Sequence, residues 1–260
     1  MYKTMNEIRE QEDKKLFNAI SKQYARKDIY PVSSYARKFQ LLSLIKLYRK
    51  KYQKASYGTI IELGCGVGAS TKYLDGHFNK YIGVDYSEEL IHLAKKYFST
   101  ERSEYICANI KEFKNDSKDV DFVFGVGVLH HVSDLDDVLQ KMRTIGHSDT
   151  IFGFIEPQAS SPIIQLMRRI RMFVDKTYSS DQVFFTKNYI RDVFAKNGYQ
   201  VTAVKYQGYF TPVFAQVIIK PSFVFMPVVA VFTALDRFIQ DYVNNLFSWN
   251  MIWVAEKKRN

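Results

Sequence analysis

The stretch "ELGCGVGAS", Glu62 to Ser70, follows the apolar run "TIIEL" and leads into a segment of helical length. Glycines 64, 66 and 68 let the backbone turn sharply and approach a ligand closely, while the helix that follows offers its N-terminal amides to a polar or anionic group. Downstream, short apolar runs recur as "YIGVD", "EYICA", "VDFVFGV" and "TIFGFIE". Between them lie "ASTKYLDGHF", "SEELIHLAKKYF" and "SDLDDVLQKMRTIG", each long enough for a helix, with Ser87 and Ser133 placed to cap the last two. Near-continuous apolar strands alternating with helices predict a parallel sheet covered on both faces, a doubly wound α/β fold.

The flanks of this core have their own periodicity. Residues 34–54 place Phe39, Leu42 and Ile45 on one helical stripe after Pro31, with Ser33 or Ser34 as the expected cap, and another helix is expected around residues 11–26. "FTKNYIRDVFAKNGYQV" reads as a helix capped by Thr186 and stopped at Gly198, followed by a strand, and "SWNMIWVAEKK" as a closing strand. The expected division is an N-terminal helical cap over 1–54 and a ligand-binding domain over 55–260, with an apolar helical insertion at about 209–246. Within that insertion, "PSFVFMPVVAVFTAL" (221–235) has no charged side chain, although the chain has a formal net charge of +10.

Composition narrows the setting. Two cysteines, Cys65 and Cys107, cannot build a disulfide framework and are too few for a cysteine-based metal site, so no metal is expected. The N-terminus has no apolar run behind its charges, which argues against a secretory signal and for a cytoplasmic, optionally membrane-peripheral, protein. Basic residues gather in "RKKYQK" (49–54), "RRIR" (168–171) and the terminal "EKKRN", raising the expectation of an anionic partner.

Two cofactor classes use a glycine loop of this kind. Gly64, Gly66 and Ala69 satisfy the dinucleotide fingerprint, with Asp85 at the distance expected of a ribose-binding carboxylate. The acidic residue two places before the first glycine favours the other class, because Glu62 suits a cationic amino-acid ligand and would repel a pyrophosphate. Glu62-x-Gly64-x-Gly66-x-Gly68, with "GVDYS", "CANI" and "VDFVFGVGVLHHVSD" following in order, resembles the class I S-adenosylmethionine-dependent methyltransferases of the small-molecule branch. The similarity covers about residues 55–208 plus the final strand.

The resemblance implies a seven-stranded, mostly parallel sheet whose last strand is antiparallel, with S-adenosylmethionine across the carboxyl ends of the first four strands. It implies that Glu62, Gly64, Cys65 (through its backbone), Gly66, Gly68, Asp85, Tyr86, Asn109, Ile110, Gly125 and Val126 meet the cofactor. Tyr24 and Arg37, on the N-terminal helices, are candidates for the donor's carboxylate. His131, His130 and Glu156 are the candidate catalytic residues: His131, in the family's His-Val pair, is either the base or acceptor-orienting group or a residue that caps or packs the helix starting near Ser133, and Glu156 either faces the acceptor or is a buried, hydrogen-bonded structural carboxylate. The acceptor is expected to be small and hydrophobic or lipid-linked, and O-methylation leads over C- and N-methylation.

An RNA acceptor, or a silent methyltransferase fold used as a binding module, is the competing reading. Base-amino methylation of DNA is disfavoured, because "GVGVLHH" stands where the stacking motif for a flipped base is expected. A membrane span is disfavoured too: 221–235 is shorter than the roughly 20 apolar residues required, and Pro227 interrupts it. Its apolar surface is left to cover the acceptor pocket, to touch a membrane peripherally or to pair two subunits.

Overall fold

Seven apolar runs become the strands of one sheet in the computed structural model, which describes residues 5–53, 57–115, 117, 119–166, 169, 185–240, 242 and 245–259, with residues 5–9 by backbone alone. They are β1 (Tyr57–Leu63), β2 (Phe78–Asp85), β3 (Ser103–Cys107), β4 (Val120–Val126), β5 (Ile151–Pro157), β6 (Tyr199–Gln207) and β7 (Asn250–Lys257). Their order is β3-β2-β1-β4-β5-β7-β6. Strands β1 to β5 pair in parallel, and β7 runs antiparallel between β5 and β6, as the resemblance implied.

Successive side chains on a strand point to opposite faces. Ile60, Phe122, Phe124, Ile252 and Val254 fill one core, while Ile61, Leu63, Val123, Phe152 and Trp253 fill the other. With both faces covered, the strands have no polar phase, which is why they read as unbroken apolar runs. From β1 the order runs outward through β2 and β3 on one side and through β4 and β5 on the other. A crevice therefore opens between the carboxyl ends of β1 and β4.

The helices are α1 (Met5–Ile29), α2 (Pro31–Tyr52), α3 (Ser70–Tyr73), α4 (Glu88–Phe98), α5 (Leu135–Met142), α6 (Lys187–Lys196), α7 (Thr211–Gln216) and α8 (Ser222–Ile239). Ser87 caps α4 and Thr186 caps α6, each accepting an amide of its first turn. Two expected caps differ. Helix α2 starts at Pro31 after an extended Tyr30, because the proline's fixed φ suits the first helical position and disfavours helix before it. Ser33 Oγ instead donates back to Lys27 O at 2.6 Å. Helix α5 is capped by Asp134, whose carboxylate accepts from Asp137 N at 3.0 Å, while Ser133 turns away to α1.

The insertion lies where the sequence put it, between β6 and β7. It comprises α7, α8 and a 3-10 turn, Asn245–Phe247, and its ends meet where Trp249 N donates to Gly208 O at 2.9 Å. Pro227 does not stop α8: it sits on the exposed side in the second turn, and the helix continues past it to Ile239 despite the lost backbone bond and the crowding of the carbonyl one turn before. Since β6 runs in the same direction as β5, the insertion stands on the carboxyl edge of the sheet, the same edge as the glycine loop. It rests on α2 through Val32, Ala36, Ala215 and Val229. The expected 54/55 boundary and the basic stretch 168–171, apart from the exposed Arg169, lie outside the described residues.

Candidate functional site

The crevice between β1 and β4 holds a cleft continuous with solvent. Gly64 and Gly66 form part of its wall in the left-handed backbone region, at φ +68° and +54°. A side chain at Gly64 would come within 2.5 Å of Val128, and one at Gly66 within 3.4 Å of Tyr24, so these glycines keep the cleft open. Asp85 closes the end of β2. Its buried carboxylate accepts from Gly66 N and Ser87 N, both at 2.9 Å, which ties the glycine loop to the start of α4. Burial pushes the Asp85 carboxyl up, against the two amides that pull it down. Tyr86, Asn109, Ile110 and Val126, all expected at the cofactor, line the same cleft, as does Tyr24 from α1.

Five other expected cofactor residues stand behind this wall. Glu62 points into the core, where it accepts from Ser70 Oγ at 2.8 Å and from the Tyr81 hydroxyl. Cys65 is buried beside the loop. Gly68 lies against the Tyr105 ring, where an added carbon would sit at 2.3 Å, and Gly125 lies under Val128. Arg37 is committed elsewhere: it binds both oxygens of Asp28 at 3.1 and 3.0 Å, donates to Ala215 O at 3.1 Å and lies over the Tyr24 ring at 5.0 Å. It steadies Tyr24, which does reach the cleft.

Burial pushes the Glu62 carboxyl up to about 8, with the hydroxyls of Tyr81 and Ser70 holding it partly down. In the unfolded chain this group titrates near 4.5. Between those values the folded protein holds a proton that the unfolded chain releases, so Glu62 favours folding at low pH and that contribution is lost as pH rises from about 4.5 to about 8. Chemical denaturation of Glu62→Gln across this range is expected to show a flatter pH dependence than the native chain. An unchanged slope would assign the titration to other groups.

The three candidate catalytic residues separate into two kinds. Glu156, at the end of β5, is fully buried and accepts from Val128 N at 2.8 Å, Leu129 N at 2.7 Å and His130 Nδ1 at 2.7 Å. Glu156 and His130 thus fix the turn after β4 from behind. His131 lies on the cleft wall, with Nδ1 at 3.3 Å from Asp13 Oδ2 and its ring edge-on to Phe17 at 5.4 Å.

Helix α1 supplies residues that sequence reasoning did not single out. Glu10, Asp13 and Phe17 join Tyr24 on the cleft wall. Glu10 accepts from Lys111 Nζ at 2.6 Å, from Ser133 Oγ at 2.5 Å and from Asn109 Nδ2 at 3.4 Å, while Asn18 meets Ser87 Oγ at 2.6 Å. The helix is thereby fastened across the carboxyl ends of β2, β3 and β4. The signal was the spacing 10, 13, 17, 24, one helical face. Its mixture of carboxylates and aromatic rings hides it from a search for apolar periodicity.

The cleft therefore combines a glycine-walled mouth, a buried carboxylate at a strand end, an amide at Asn109 and a flat apolar lining from Leu90, Ala108, Ile110 and Val126. This donor set fits a ribonucleoside, with diol, exocyclic amine and base face each met by a matching group. No cluster of potential metal ligands occurs among the described residues.

Comparison with known proteins agrees with this reading of the fold. Residues 61–153 match the family described as "Methyltransferase domain". Over 116 residues the chain is 26% identical to the Saccharomyces cerevisiae protein named "Probable S-adenosylmethionine-dependent methyltransferase CRG1", a match spanning 42% of this chain and 40% of the yeast protein. The fold resembles that of magnesium protoporphyrin IX methyltransferase (ChlM) from Synechocystis PCC 6803 with bound SAH, with a TM-score of 0.63, 11% identity and coverage of 96% of this chain and 100% of that one. It also resembles the DhpI-SAM-HEP complex, with a TM-score of 0.60, 14% identity and coverage of 98% and 100%.

Proposed function

We propose, from the premise that this chain is a class I S-adenosylmethionine-dependent methyltransferase, that it methylates a hydroxyl group of a small, hydrophobic or lipid-linked acceptor. S-adenosylmethionine is its cofactor, and when bound it supplies an electrophilic methyl group on a sulfonium sulfur. Asp85 would hold the ribose hydroxyls, Asn109 the adenine amine, and Tyr86 and Ile110 the base face. Gly64 and Gly66 would let the backbone approach the amino-acid end. The apolar side chains of Phe17, Val128, Val132 and Val138, on the same cleft wall, favour a hydrophobic acceptor.

A hydroxyl acceptor must lose its proton as it is methylated, and the observation that supports this chemistry is the position of His131. It lies on the cleft wall with Nδ1 against the Asp13 carboxylate. With Nδ1 donating to Asp13, the lone pair is on Nε2, and that nitrogen takes the acceptor's proton. Asp13 is a positioning residue: it sets the tautomer and the ring orientation. Holding the acceptor in line with the methyl group supplies a further large part of the rate.

The reading is tested with methyl-labelled S-adenosylmethionine and host extract. Label is expected in the organic-soluble fraction. Label in RNA would replace the acceptor class, and binding of the donor without label in any fraction would make the chain a silent binding protein. With the acceptor in hand, His131→Ala is expected to lower kcat about 100-fold while leaving the Kd for S-adenosylmethionine unchanged. Full activity in that variant removes the base role.

A further inference from the structure

Helix α8 is built inside out. Its buried side presents Val229, Thr233 and Asp236, two of them polar, and the next turn adds the buried Gln240. Its solvent side presents Val224, Val228, Val231, Leu235 and Phe238, at steps of 4, 3, 4 and 3, and Tyr242 is exposed just past its end. Val231 is 60% exposed, Phe238 67% and Tyr242 76%. A helix on a water-soluble surface carries its apolar stripe inward. Here the stripe lies outward along nearly four turns, roughly 21 Å at the usual rise per residue. An exposed apolar strip of this length marks a contact with an apolar partner.

By length and composition α8 could also cross a membrane. Its buried side is committed elsewhere. Asp236 accepts from the amides of Tyr209, Phe210 and Thr211 at 3.1, 2.9 and 3.0 Å and from the Thr211 hydroxyl, and Val229 packs on Val32 and Ala36 of α2. The helix is thus fastened side-on to the domain. That orientation suits a helix lying in an interface, with its apolar face buried and its charges at headgroup level.

Among the described residues of the insertion the exposed charges are Lys220 and Arg237, both cationic, because Asp236 is buried; Asp241 lies outside the described residues. Two copies of such a face would set like charges against each other on chains of net charge +10. An anionic bilayer meets both features at once: its headgroups attract the cations, and its acyl boundary takes the apolar strip. We propose that the outer face of α8 is a peripheral docking surface for an anionic lipid membrane. This stands on the helix alone, whatever the reaction.

The test is flotation of the full chain with vesicles of phosphatidylcholine alone or mixed equally with phosphatidylglycerol. The chain is expected to float with the mixed vesicles and to be released by added salt. The double substitution Val231→Glu, Phe238→Glu, at outward positions, is expected to lower partitioning at least about tenfold with S-adenosylmethionine affinity retained. If that variant fails to fold, Lys220→Gln, expected to lower partitioning about fivefold, keeps the test open. No flotation of the native chain, equal flotation on both vesicle types, or native-like flotation of the double variant overturns the proposal. So does a dimer in light scattering that the double variant converts to monomer without any lipid binding, which would make the face a subunit interface.

Discussion

Replacing Asp85 by Ala is expected to weaken binding of S-adenosylmethionine about a thousandfold, close to 4 kcal/mol, as measured by calorimetry. The size follows from the number of bonds one carboxylate makes. Two of its acceptor positions already take the amides of Gly66 and Ser87, so the group is aimed before any ligand arrives. Its remaining lone pairs face the cleft, where a ribose diol would complete the set. Bonds to a buried charged group contribute about 1.5–3 kcal/mol each, and the Ala variant loses the pair to the ligand as well as the anchor of the glycine loop. Asp85→Asn separates these effects: it keeps an acceptor for one amide and loses the charge, so its expected loss is intermediate. Retention of native affinity in the Ala variant would show that the diol is held by another group.

The second large effect is expected at a residue buried behind the cleft wall. Glu156→Ala is expected to cost about 3–5 kcal/mol of folding stability, a fall in Tm of about 10 °C, because it strands two amides and an imidazole that are buried with it. Val128 N, Leu129 N and His130 Nδ1 all converge on this carboxylate, and the turn they belong to carries Gly127 and Val128 on the cleft wall. Loss of stability should therefore be accompanied by loss of cofactor affinity. Glu156→Gln, which retains one acceptor oxygen, is expected to be milder in both thermal denaturation and calorimetry. A Glu156→Ala protein as stable as the native chain would mean that water replaces all three contacts.

The sheet was readable because burial on both faces leaves strands such as "VDFVFGV" no polar phase, and because a glycine loop after a strand has few structural alternatives. What escaped reading was contact between distant segments. Nothing in the sequence separation of 26 between His130 and Glu156 announces that they meet, and the pair looked as suited to catalysis as to support. Arg37, expected at the donor's carboxylate, is instead claimed by Asp28, nine positions away and one helix earlier. Glu62 is expected at the cofactor from its charge and its place in the glycine motif, whereas its direction off β1 sends it to Tyr81 and Ser70. The α1 stripe was missed because its side chains share a place and not a hydropathy. Side-chain direction and partner choice are set by packing, and packing is what a one-dimensional pattern omits.

The backbone bond from Trp249 N to Gly208 O brings the two ends of the insertion side by side. A segment that leaves and returns at one point lays almost no constraint on the sheet it leaves, since the strands on either side are already in register without it. The sheet and the segment bearing the apolar helix are in this sense joined at one point of the strand pair β6–β7. The insertion reaches the cleft through one relay, Ala215 O to Arg37 to the Tyr24 ring, so a change in α7 is felt at the cleft wall through Tyr24.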